Sequence, residues 1–313
     1  MAQAQRRETT VQRRERRISA WGMTFTYTLV LAGIQLVAGV FAPFYFVGVA
    51  VIRDGTAALS RPDFSQTLLQ DTLHSLGWIL IACDVVTLLI FILIVTARRE
   101  NFRKAVGLRP FKPLLVVALL MLGAGLSLML NSVTSLFSSL FTATTNGGGS
   151  LFETAFSDLF ATVPGIIAIV VCAPVVEEIT FRGLVFGTLR EKLALPAALI
   201  IQALFFGLVH GNISQFFLGF GLGCLMCWVV IRSGSIYCSM LIHFAFNGTT
   251  TVVTLLQKQY GAGSASLWAL LLLGAAALFV VGLLWQMHLT KKPKPAAFLP
   301  AASGGQPPNM LVS

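Results

Sequence analysis

Residues 76–97 read LGWILIACDVVTLLIFILIVTA, a run broken by one charged residue, Asp84. A stretch of 18 or more apolar residues is long enough to cross the hydrocarbon core of a bilayer as a helix. In lipid the backbone must satisfy its own hydrogen bonds, so such a segment is confined to helix or closed barrel. The chain repeats the pattern at about 23–52, 76–97, 112–131, 163–190, 194–210, 215–231, 236–256 and 267–287. These runs are continuous rather than alternating, which selects helix. The expected fold is therefore all-α: a polytopic integral membrane helical bundle of about eight transmembrane helices. Composition agrees, with 56% hydrophobic and 11% charged residues and a mean hydropathy of +0.82. Soluble domains are about a quarter charged.

The net charge of +10 does not point to nucleic acid, because the basic residues gather at segment ends. Arg98, Arg99, Arg103 and Lys104 follow the second span, Arg190 and Lys192 the fourth, and Lys291, Lys292 and Lys294 the eighth. Asp54, Asp63, Asp71, Glu153 and Asp158 fall on the other side. Basic flanks favour the cytoplasmic face, so this pattern places the chain in the cell membrane with both termini cytoplasmic and the lipid bilayer as its first partner.

The first 20 residues are too long and too charged for the n-region of a cleaved signal peptide, and residues 1–22 read as a basic cytoplasmic tail without fixed structure. Residues 23–141 form the N-terminal transmembrane helices, and 163–256 a core rich in buried polar groups. Between them, 142–162 opens with a Gly-rich linker and continues as an amphipathic segment expected to lie in the interface. A last transmembrane helix occupies 257–290, and 291–313 is Pro/Gly/Ser-rich and expected to be disordered. The five cysteines lie in or beside apolar runs and read as small packing residues. No internal repeat is visible, which weighs against a transporter built from inverted repeats.

Ionisable groups at membrane depth are costly and mark functional sites. Here they concentrate in the second half. Glu177 and Glu178 lie in the fourth span, His210 closes the fifth, and His243 and Asn247 lie in the seventh. Glu178 and Arg182 are four apart, as are His243 and Asn247, so each pair shares a helix face. Glu177 then points about 100° away from Glu178. One carboxylate can be neutralised by arginine while the other stays free for chemistry. Counting along the helices puts Glu177 about 20 Å and His210 about 24 Å from the same ends of their spans. His243 is only about 10 Å into its own, a mismatch that closes if the fourth and fifth helices project further or the seventh starts earlier.

Three short motifs now stand in order on apolar helices. EEITFR, Glu177 to Arg182, fits E-E-x-x-x-R; FGLVH, Phe206 to His210, fits F-x-x-x-H; HFAFN, His243 to Asn247, fits H-x-x-x-N. Together they resemble the CAAX-protease and bacteriocin-processing family (CPBP, or Abi) of intramembrane endopeptidases, over about residues 150–256. The resemblance implies peptide-bond hydrolysis in a membrane-associated protein or peptide. It makes Glu177 the general base and has His210 help it polarise a water. His243 and Asn247 hold the developing oxyanion. Glu178 and Arg182 orient the helix and set its charge, and Phe206 packs near His210.

No metal or other cofactor is favoured. The alternative is a catalytic zinc held by Glu177, His210 and His243 with one position open for water, as in a metalloprotease. The H-E-x-x-H spacing of a zincin is absent. A second class is a non-catalytic immunity or scaffold protein that binds a peptide or a membrane partner. A third, less favoured, is a proton-coupled transporter using Asp84, for which an interior polar network with Gln35 and Gln202 is the simpler expectation.

Overall fold

The structure is a computed structural model that describes residues 2–141, 159–211, 213–261 and 263–290. Among them it is helical with no strand, as expected for an all-α bundle. Its helices are α1 (Ala2–Asp54), α2 (Phe64–Ala97), the single turn α3 (Phe102–Ala105), α4 (Leu115–Phe141), α5 (Val163–Arg190), α6 (Leu195–Leu208), α7 (Ile213–Ser233), α8 (Ile236–Tyr260) and α9 (Ala265–Leu289). Seven of these are long and apolar enough to cross a membrane.

The eighth apolar segment, expected at 194–210, becomes α6, only 14 residues long. It spans about 21 Å, short of a full bilayer core. Pro196 sits in its first turn, and Gly211, with φ of 65°, closes the turn after it. The basic N-terminal stretch is not a structureless tail, since α1 runs unbroken from Ala2 to Asp54. The expected interfacial segment lies outside the described residues over 142–158, as does the C-terminal tail at 291–313.

α5 is the axis of the bundle, with α1, α2, α6 and α8 packed around it. The stretch Ile179–Val185 is wholly buried, and Phe181, Val185 and Phe186 have no accessible surface. α4 fits between α8 and α9. That seam carries polar glue of the kind membrane helices use. Ser127 and Thr250 hydroxyls meet at 2.8 Å, and Gln257 Nε2 donates to Ser135 Oγ at 3.2 Å.

α5 is not a regular α-helix. It widens into π turns at Ala168–Cys172 and Ile179–Val185, on either side of the α-helical Ala173–Glu178. The first has a local cause. Pro174 has no N–H and its ring crowds the preceding turn. The backbone relaxes by letting Ala173 N–H reach back five residues to the Ala168 carbonyl. Ile169 is left facing the proline, without a backbone donor in that register. Its carbonyl is free for another partner.

Candidate active site

Glu177 and Glu178 close the α-helical stretch between the two π turns. The carboxylates diverge as adjacent helical positions must. Glu178 is fully buried, and its Oε1 accepts from Arg182 Nη1 at 2.9 Å, the i,i+4 pair read from the sequence. The same oxygen meets Nδ1 of His243, also at 2.9 Å. An ionised carboxylate can only accept, so His243 donates there through Nδ1–H. Glu177 keeps 17% of its side-chain surface, and its Oε2 lies 3.7 Å from His243 Nε2, beyond hydrogen-bond range. It accepts no hydrogen bond from any described residue. His243 thus stands between a carboxylate that is hydrogen-bonded and one that is not.

The depth mismatch is resolved by where the helices are anchored. The Val106–Gly107 turn touches both: Val106 packs on Gly183 of α5, and the Gly107 carbonyl accepts from Ile236 N–H at the start of α8. Six residues back from Gly183 is Glu177, about 9 Å; seven residues on from Ile236 is His243, about 10 Å. α5 continues to Arg190, past the start of α8. The fourth span therefore projects beyond the seventh, and the two side chains meet at one height.

Asn247 is one turn beyond His243 on α8. Its Nδ2 donates to the Ile169 carbonyl at 2.8 Å, the acceptor released by Pro174 and the π turn. One amide hydrogen is committed to α5, and one remains. Sequence reading missed this partner, although the proline inside an apolar run was the signal for it.

His210 lies half-buried in the turn after α6, where its Nδ1 meets the Phe206 carbonyl at 2.8 Å. A carbonyl accepts, so Nδ1 carries a hydrogen, and in the neutral ring Nε2 holds the lone pair. Phe206 ties the motifs together. Its ring stands edge-on to His210 at 5.1 Å and to His243 at 6.0 Å, and Arg182 Cζ lies 4.1 Å above its face. That cation–π contact matters because Arg182 Nε and Nη2 are buried without hydrogen-bond partners. α6 comes close enough to α7 for this arrangement at Gly207, where a Cβ would stand 2.7 Å from the Phe216 carbonyl oxygen.

Contacts thus link Glu177, Glu178, Arg182, His243 and Phe206, His210 joins them through Phe206, and Asn247 ties α8 to α5. Among the described residues no group of three or more His, Cys, Asp or Glu side chains is placed to hold a metal ion. Glu177, His210 and His243 do not converge as a ligand set in this arrangement. The interior network expected for Asp84 also does not form. Gln202 Nε2 donates to the Gly223 carbonyl of α7 at 3.0 Å, and Asp84 bonds to neither glutamine.

An ionisable cluster enclosed by membrane-length helices defines the class: a polytopic membrane protein with a polar interior site. Comparison with known proteins shows what the chain is similar to. Residues 159–249 match the family described as type II CAAX prenyl endopeptidase Rce1-like, and this bears out the resemblance carried by the three motifs. The chain is also 29% identical over 106 residues to a Bacillus subtilis (strain 168) protein named "Putative membrane peptidase YdiL". That similarity covers 34% of this chain and 42% of the relative, so the chain spans less than half of the relative's length. No solved structure gives a significant match.

Proposed function

We propose that this protein is an intramembrane endopeptidase that hydrolyses a peptide bond in a membrane-associated protein or peptide, using water activated by Glu177 with His210. The observation that carries this reading is the unequal treatment of two adjacent carboxylates. Glu178 is sealed and doubly hydrogen-bonded, whereas Glu177 is partly open and accepts nothing from any described residue. A general base must be free to take a proton, and an orienting group must be fixed.

In the proposed reaction Glu177 takes a proton from water, and the His210 Nε2 lone pair helps orient that water. The water oxygen bonds to the scissile carbonyl carbon. The oxyanion that forms is met by the remaining Asn247 amide hydrogen and by His243. With Nδ1 held on Glu178, His243 presents a donor at Nε2 only as the imidazolium, whose charge Glu177 can balance. The carbon–nitrogen bond then breaks, and the proton held by Glu177 passes to the leaving amine.

The deciding experiment compares terminal peptides by mass spectrometry from cells carrying wild type and Glu177→Gln at matched levels. Peptide ends present only with wild type establish proteolysis and name substrates. Identical termini, with the folded variant still supporting the wild-type phenotype, would replace the enzyme by the immunity or scaffold role.

A further inference from the structure

The family match begins at residue 159, yet α2, far outside it, packs on α5 and carries a buried carboxylate, Asp84. Asp84 is 4% exposed, and on α2 it belongs to the buried stripe Gly77, Asp84, Phe91 at seven-residue spacing, so it faces protein. Val85 and Val86, its neighbours, are exposed. α2 meets α5 at Gly77, where a Cβ would fall 2.5 Å from Gly165 N.

From that contact the two helices run the same way. Seven residues along α2, about 10 Å, is Asp84, and the same distance along α5 reaches Cys172. Glu177 is a turn and a half further, and helical side chains lean back toward their N-terminus, here toward Asp84.

Asp84 makes no hydrogen bond or ion pair with any described residue. A buried carboxylate without a partner is costly, and its oxygens are not sealed off as Glu178 Oε2 is. Of the three carboxylates on these helices, Glu178 has Arg182 and Glu177 faces His243, whereas Asp84 has no cationic partner among the described residues. A carboxylate without a counter-charge in a low-dielectric interior attracts a cation.

We propose that Asp84 determines specificity: its carboxylate receives the side chain of a substrate lysine or arginine within a few residues of the scissile bond. This rests on the peptidase reading above. Binding would give Asp84 the counter-charge that the chain itself omits. It would also assign the N-terminal helices a function, as the wall of the site that reads the substrate.

The test uses the purified full-length protein in proteoliposomes and a proteome-derived peptide library, with both new termini sequenced. Wild-type cleavage sites should be enriched for lysine or arginine at one position near the cut. For a peptide pair differing only by lysine or methionine there, Asp84→Asn should lower the lysine-to-methionine ratio of kcat/KM by about tenfold or more. Asp84→Glu, which keeps the charge, should retain the preference and controls for folding. Wild-type cleavage without basic preference, or a preference that survives Asp84→Asn, overturns the proposal. The absence of any termini beyond those of Glu177→Gln overturns the peptidase reading, and this one with it.

Discussion

Nδ1 of His243 lies 2.9 Å from Oε1 of Glu178, although 65 residues separate them in the chain. That contact makes Glu178 more than the counter-ion of Arg182. It sets the tautomer and tilt of the imidazole whose other nitrogen faces Glu177. Replacing Glu178 by Gln should therefore do two things. It leaves the buried Arg182 unpaired, at a cost of about 3–5 kcal/mol, read as a lowered unfolding temperature in detergent. It also releases His243, read as lost cleavage. A Glu178→Leu, Arg182→Met double variant should recover much of the stability and none of the activity.

Asn247 and Pro174 should be coupled. Asn247→Ala strands the Ile169 carbonyl, at about 1–3 kcal/mol. Pro174→Ala returns a backbone N–H to the crowded turn and gives that carbonyl a donor. A double-mutant cycle on unfolding should show Asn247→Ala costing less in the Pro174→Ala background, by about 1 kcal/mol. Cleavage should remain lost in both Asn247→Ala backgrounds, because the second amide hydrogen is gone in each.

Gly207→Ala tests how α6 is held. Its added methyl would meet the Phe216 carbonyl at 2.7 Å and the Phe220 nitrogen at 3.3 Å, both backbone atoms. The helices must part, at about 1–3 kcal/mol. His210, three residues on, should move with α6. A fall in kcat with the unfolding temperature is the expected result.

A chelator distinguishes the two hydrolytic chemistries. If Glu177 and His210 activate water directly, cleavage by the purified protein should be unchanged after prolonged 1,10-phenanthroline treatment. Loss of activity that zinc restores would instead assign Glu177, His210 and His243 as ligands.

Much of this was legible in the amino-acid order. Continuous apolar runs specify membrane helices because lipid leaves the backbone no other partner. The Glu178–Arg182 pair follows from the helical repeat, as does the separation of Glu177 from Glu178. The run at 194–210, which reads as an eighth span, instead forms a 14-residue helix between Pro196 and Gly211. The motifs also contain Glu178, Arg182, Phe206 and His243, which the structure places in mutual contact.

How they meet was decided by packing. His243 reaches the glutamates only because α5 and α8 are offset on the Val106–Gly107 turn, and helical periodicity carries no information about offsets between helices. Asn247 finds Ile169 across 78 residues because a proline and a π turn free one carbonyl at the right height. The close α2–α5 crossing at Gly77, on which the proposed role of Asp84 rests, joins residues 88 apart in the chain. Local hydrogen-bond geometry repeats along the chain and can be read from it. Contacts between helices depend on where each rod is anchored, which is a property of the whole bundle.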